Sequence, residues 1–355
     1  MNIKHTRHSK LFNIHITVLV VTSIMLFGTL GWSQDRSDEK IEQRQEQVSK
    51  ESLSFRLKWL VYSSFAPHFF ALEEGFFDQQ NLKVEIQPGG PGLDPIKLVV
   101  TGLDLVGLAS YDQILVAREK GIPVVAIAED TTKSGVGFMS LRASGIKDPK
   151  DFVGRKVGVM LGTDKGTIYE ALMNKQNIDR SKVQEIPIGF NLEFLFNGTV
   201  EVFPAFITNQ PIIARNKGFE VDIIDPYEYG VRPGGNVYFT SEISLKEKRE
   251  TLKRFLIAEL RGIIQSQKMD DEKVVSLVMK HNPKLDKKSE IEIWKATKRI
   301  LLQPDPERVG IMDHETWERT GEMARKYGLL KKDPDIGGSH DNSLVNEIHD
   351  SGALR

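Results

Sequence analysis

Apolar and polar positions in this chain follow two periods that take turns. Leu82–Gln87 (LKVEIQ) alternates every second residue, as a half-buried strand does, and Phe55–Tyr62 (FRLKWLVY) reads as a strand before it. Between them, Pro67–Phe77 has the spacing of a short amphipathic helix closed by Gly75. Pro88-Gly89-Gly90-Pro91-Gly92 is a loop that no regular element absorbs. Asp94–Thr101 predicts a helix and Leu105–Leu108 a short buried strand. Ser110 and Gln113 have the spacing of a capping box, opening a helix to Lys120, and Val124–Ala128 is a further buried strand. Alternation of this kind predicts a mostly parallel sheet covered by helices.

The pattern restarts after Gly135. Phe138–Leu141, Lys156–Met160, Val183–Ile188, Val200–Phe203 and Val221–Ile224 read as strands. Asp148-Pro149 is a cap followed by proline at the first helical position, and Gly162-Thr163-Asp164 turns into a helix over Thr167–Lys175. Further helices are expected around Leu192–Phe196 and Pro211–Lys217. From Ser244 only helical periodicity remains, at Leu245–Ser266, Glu272–His281, Ser289–Leu302 and Thr316–Tyr327. Two α/β lobes therefore lie in series before a helical region. Such sheets bind ligands beyond the carboxyl ends of their strands, and a cleft between lobes is a favoured small-molecule site.

The two ends of the chain read differently. Lys4, Arg7 and Lys10 precede the uncharged stretch Ile16–Leu30, and Gly31-Trp32-Ser33 offers small residues for a cut before Gln34. This predicts a secretory signal over residues 1–33, with a retained N-terminal anchor as the alternative. Residues 34–52 read as a polar tether and 331–355 as a loose C-terminal tail. Composition adds two exclusions. With 48 Lys+Arg against 49 Asp+Glu, nothing points to nucleic acid, and the absence of cysteine removes disulfides, thiolate metal sites and cysteine nucleophiles. Short signatures for P-loops, zinc proteases, serine-hydrolase elbows and dinucleotide folds are absent, which favours binding over catalysis.

Several stretches carry a family likeness: LKWLVYSSFAPHFFALEEGFFDQQNLKVEI (57–86), GGPGLDPIKLVVTGLDLVGLASYDQILVAREKGIPVVAIA (89–128), GIKDPKDFVGRKVGVMLGTD (145–164) and FPAFITNQP (203–211). Through them Leu57–Leu330 resembles the solute-binding proteins of ABC importers, in the branch of nitrate, sulfonate, taurine and thiamine-pyrimidine-precursor binders. The resemblance implies the two-lobed type II periplasmic binding protein fold, an α/β architecture with two hinge crossings, placed near Gly137–Leu141 and Gly234–Phe239. Lobe one would comprise 53–138 with 236–330, and lobe two 139–235. It also implies a non-enzymatic, extracytoplasmic monomer with a small-molecule ligand and an importer permease as partner. No cofactor, no metal and no nucleic acid are expected, and membrane contact only through an uncleaved N-terminal segment.

Strand ends supply the candidate ligand contacts. They are Trp59, Tyr62 and His68 after the first strand, Gly90 in the Pro/Gly loop, and Ser110 and Asp112 after the third strand. Lobe two adds Gly162, Thr163, Asp164, Phe190, Asn191 and Asn209, and the return crossing adds Tyr238. None is Arg or Lys, which an anion would favour, so the set suits a flat, nitrogen-rich ring such as an aminopyrimidine. Sulfonate, taurine, nitrate or riboflavin are the alternative ligands. Each residue also has a plainer role: Trp59 and Tyr62 as core aromatics, His68 as polar packing, and Ser110, Asp112 and Asp164 as helix caps. Two other functions stay open. A pyrimidine-precursor synthase of the same fold would use a lobe-one histidine, for which His68 is the candidate, and a cysteine-rich iron site that this chain lacks. A sensor on a retained anchor is the third.

Overall fold

Leu53 and Phe55 place two buried side chains on one face of the first strand, β1 (Glu51–Arg56), and this parity aligns it along β2 (Leu82–Gln87) from Glu51↔Leu82 to Arg56↔Gln87. The computed structural model describes residues 50–302 and 305–355, and Lys50–Arg355 forms one unit. The expected signal over 1–33, and the tether up to residue 49, lie outside the described residues. Glu51 and Ser52, read from the sequence as the end of that tether, belong to β1 because the strand starts earlier and stops at Arg56. The segment that follows, through Tyr62, is irregular.

Helices α1 (Ala66–Glu73) and α2 (Phe76–Gln79) join β1 to β2. Then come α3 (Pro95–Val100), β3 (Val106–Ser110), α4 (Tyr111–Glu119) and β4 (Val124–Glu129). The chain next builds a second sheet from β5 (Val136–Leu141), β6 (Lys156–Val159), α5 (Asp164–Lys175), β7 (Gln184–Pro187), α6 (Glu193–Phe196), β8 (Val202–Phe206), α7 (Gln210–Asn216) and β9 (Val221–Ile224). It returns as β10 (Asn236–Ser241). The sheets are ordered β2-β1-β3-β10-β4 and β7-β6-β8-β5-β9. In each, the strand that directly follows a crossing is the one that runs antiparallel to its neighbours: β10 against β3 and β4, β5 against β8 and β9. The fold is thus two α/β lobes of five strands each.

The crossings occupy residues 130–135 and 225–235, between β4 and β5 and between β9 and β10. Gly137–Leu141, expected as the first crossing, instead lies within β5, where Gly137 pairs with Ala205. The two crossings touch. A Cβ on Gly235 would collide with the carbonyl oxygen and hydroxyl of Thr131, so glycine is what lets them approach. Lys133 Nζ reaches Asp225 Oδ2 at 3.0 Å, tying one crossing to the other.

Helices complete lobe one: α8 (Glu242–Glu247), α9 (Arg249–Ser266), α10 (Asp271–His281), α11 (Lys287–Ile300), α12 (His314–Lys326), α13 (Ile336–Ser339) and α14 (Ser343–Asp350). The last two correct the reading of 331–355 as a loose tail. α14 buries Leu344, Val345 and Ile348 in the same core as Phe55 and Phe255. The run before it lies along β4, an edge strand, with an Ala126–His340 bridge and Asp341 N–H donating to the Ala126 carbonyl at 2.9 Å. The polar composition of this stretch conceals three apolar side chains at helical spacing. No described helix is long and apolar enough to cross a membrane.

Candidate functional site

The parallel strands end where the lobes face each other, and a cleft of about 680 Å³ opens there. Lobe one lines it with Lys58, Trp59 and Tyr62 beyond β1, Gly90 beyond β2, Ser110 and Asp112 at the β3–α4 junction, and Thr131 and Asn236 at the crossings. Lobe two contributes Gly162, Thr163, Asp164 and Lys165 beyond β6, Phe190 beyond β7, and Phe206, Thr208 and Asn209 from the end of β8.

Local chemistry fixes these positions. Ser110 caps α4, its backbone N–H donating to the Gln113 side chain at 3.1 Å, and this swings Asp112 into the first turn facing the cleft. Gly162 has φ +76°, a left-handed turn that ends the strand run, and Thr163 caps α5 by accepting from Gly166 N–H at 3.3 Å. Across the cleft, the Trp59 and Phe190 rings stand 5.1 Å apart between centroids, tilted by 51°. Phe190 is 49% exposed, so this pair forms an accessible aromatic wall drawn from both lobes.

Two of the cleft lysines neighbour its aspartates. Lys58 Nζ lies 3.7 Å from Asp164 Oδ2, lobe to lobe, and donates to Asn236 Oδ1 at 3.4 Å. Lys165 Nζ lies 3.9 Å from Asp164 Oδ1 and 4.0 Å from the Phe206 ring centroid. Burial pushes Asp112 up, the Asp164 charge adds to this, and Lys58 only partly offsets them. Burial would raise Asp164 too, but Lys165 and Lys58 together hold it below the usual carboxylate range. Burial lowers Lys165. Of these two carboxyls, Asp112 is without a dedicated cation, while Asp164 is neutralised by Lys58 and Lys165.

Of the residues proposed from sequence, Trp59, Tyr62, Gly90, Ser110, Asp112, Gly162, Thr163, Asp164, Phe190 and Asn209 line this cleft. Three do not. His68 is 1% exposed on the inner face of α1, with Nδ1 2.6 Å from Glu259 Oε2 and its ring 5.2 Å from Phe55. Tyr238 is fully buried because its parity in β10 sends it to the same core, where its hydroxyl donates to Glu259 at 2.9 Å. Asn191 is exposed two residues before α6, its Oδ1 accepting from Glu193 N–H at 3.0 Å.

The expectation that the cleft holds no basic residue is also corrected, by Lys58, Lys120, Lys133 and Lys165. Lys58 lies two residues past the end of β1, in the irregular segment, so strand alternation does not set its direction. Lys165 neighbours Asp164 at the start of α5, a position that reads from sequence as a plain first-turn residue. Among the described residues, no group of three His, Asp or Glu side chains is placed to hold a metal ion.

The NMT1/THI5 like family profile matches residues 62–272. A formylaminopyrimidine-binding protein of Halalkalibacterium halodurans is 26% identical over 60% of this chain and 65% of its own length, so the chain spans just under two thirds of that relative. A 4-amino-5-hydroxymethyl-2-methylpyrimidine phosphate synthase of Legionella pneumophila is 23% identical over 83% of this chain and 93% of the relative. Among solved structures, the periplasmic aliphatic sulphonate binding protein of Escherichia coli superposes with a TM-score of 0.66 at 14% identity, covering 81% of this chain and 91% of that one.

Proposed function

The chain belongs to the NMT1/THI5-like family, and on that premise we propose that it is an extracytoplasmic solute-binding protein that delivers an aminopyrimidine to an ABC importer. The observation that carries this reading is the Trp59–Phe190 pair facing Asp112 in a cleft shared by two lobes. A flat ring stacks against this aromatic wall, gaining about 0.5–1.5 kcal/mol per pair beyond area burial. Its amino group donates to Asp112, a bond of roughly 1.5–3 kcal/mol where the carboxyl is ionised. The name of the Halalkalibacterium relative supports a pyrimidine, and binding without turnover fits a site in which His68 is sealed in the lobe-one core.

Thermal denaturation with 4-amino-5-hydroxymethyl-2-methylpyrimidine tests this. At one hundred times its Kd the ligand should stabilise the protein by about 2.7 kcal/mol, while nitrate should not. Trp59→Ala should leave the fold intact and weaken binding by about 2 kcal/mol, roughly thirtyfold, from lost stacking and area. Asp112→Asn should weaken it less. Stabilisation by taurine but by no pyrimidine would place the ligand in the sulfonate class. The alternative, a synthase like that named for the Legionella relative, predicts that the bound compound is consumed; recovery of it unchanged after prolonged incubation counts against that activity.

Lobe closure belongs to the same reading. Bending at 130–135 and 225–235 would open the Lys58–Asp164 and Trp59–Phe190 contacts in the empty protein. Small-angle scattering should then give a smaller radius of gyration with the pyrimidine than without it, and an unchanged value at saturation would mean a rigid site.

A further inference from the structure

Lys165 is the buried cleft cation that the protein leaves without a hydrogen bond among the described residues; Lys120, also in the lining, is exposed to water. Its side chain is 4% exposed, and its ammonium sits 4.0 Å from the Phe206 centroid and 5.4 Å from that of Phe190. Asp164 Oδ1, at 3.9 Å, is beyond hydrogen-bond reach and already accepts from the Lys165 backbone N–H at 2.8 Å. Asp164 Oδ2 faces Lys58, whose ammonium also donates to Asn236. Lys58 is therefore engaged and Lys165 is not. An ammonium held out of water without an acceptor is costly, and a ligand that brings an acceptor removes that cost. Burial accordingly pushes the Lys165 amine down, and Lys58 pushes the same way against Asp164 and Asp112. Two donors at the start of α5 are already used, Lys165 N–H by Asp164 and Gly166 N–H by Thr163.

We propose that Lys165 is a specificity-determining residue, donating to an uncharged carbonyl-type oxygen on the ligand while Asp112 receives the ligand's amino group. This rests on the pyrimidine reading of the site. An oxyanion fits less well: a single buried ammonium is unengaged to face a group with several charged oxygens, and Asp112 and Asp164 share the cleft. The ligand class is thus an amino-substituted ring carrying a formyl or amide oxygen.

Isothermal titration of wild type, Lys165→Met and Lys165→Gln would use three probes. One is a 4-amino-2-methylpyrimidine with a formylaminomethyl group at ring position 5; the second has a methyl group there; the third is the phosphate monoester of the hydroxymethyl compound. Wild type should prefer the formyl compound over the methyl compound by tenfold or more. Lys165→Met should lose roughly 10- to 100-fold on the formyl compound and about twofold or less on the methyl compound, erasing the preference. Lys165→Gln, which keeps an N–H donor, should restore part of it. If Lys165→Met keeps the preference, or loses both compounds equally, Lys165 only packs the site and this inference alone falls. Tighter binding of the phosphate than of the formyl compound would overturn the uncharged acceptor. Failure of wild type to bind any of the three would overturn the pyrimidine reading and this inference with it.

Discussion

Ending the chain at Asn342 should cost the protein about 5 kcal/mol or more of folding free energy. The deleted segment carries Leu344, Val345 and Ile348, each at most 1% exposed, against the core built by α9 and β4. Burying an aliphatic side chain is worth roughly 1.5–3 kcal/mol, and compactness of the unfolded chain trims the sum. Polar anchoring goes with it. Glu347 accepts from Lys253 Nζ at 3.0 Å and from Arg249, and the His349 ring meets the Val309 carbonyl at 2.9 Å. A whole domain of this kind is stable by only about 5–15 kcal/mol, so the truncated protein should be largely unfolded or melt far below wild type. Urea denaturation of the two chains checks this. A difference below about 1 kcal/mol would mean that the segment is the loose tail its composition suggests.

That segment shows where sequence reasoning reaches its limit. Period and parity were legible wherever the chain is strongly apolar: LKVEIQ is β2, and buried runs such as Val124–Ala128 are strands covered on both faces. The capping box at Ser110–Gln113 was equally readable, because its chemistry is local. What a single strand cannot reveal is where it stops. FRLKWLVY keeps alternating after β1 has ended at Arg56, and Lys58, absent from the candidate set, turns into the cleft. The tail failed for the opposite reason. Three apolar residues in a polar stretch matter only once an edge strand is there to receive them. Tyr238 and His68 sit at the expected places in the order of elements, yet both face the core. A side chain's face in β10 depends on its register against β3 and β4, which involve residues more than a hundred positions away.

His68 and Tyr238 have a different role, and it predicts the second large effect. Removing the Glu259 carboxylate should destabilise the protein by about 3–5 kcal/mol, because it strands a buried histidine. His68 Nδ1 lies 2.6 Å from Glu259 Oε2, which also accepts from Tyr238, and His68 Nε2 lies 3.7 Å from Asp130 at the mouth of the first crossing. Burial alone would lower His68, but Glu259 and Asp130 outweigh it and hold it above the usual histidine range. Asp130 is raised by burial to about 6 despite His68, and nearby Glu129, buried against the Tyr111 hydroxyl, is raised to about 8. All three groups bind protons more tightly folded than unfolded. Their linkage therefore has one sign: stability is highest in mild acid and declines as pH rises through the folded values. His340, lowered by burial, works the other way but is only half-buried. The melting temperature should accordingly fall between pH 5.5 and pH 8.5. Glu259→Ala should lie well below wild type at both ends and show a shallower fall, since His68 and Asp130 lose the carboxylate that raises them. Replacing the pair together, as His68→Leu with Glu259→Met, should cost less than Glu259→Ala alone, because neither charge is then left unpaired. A wild-type melting temperature that climbs across this range would show that the cluster does not hold these protons in the folded protein.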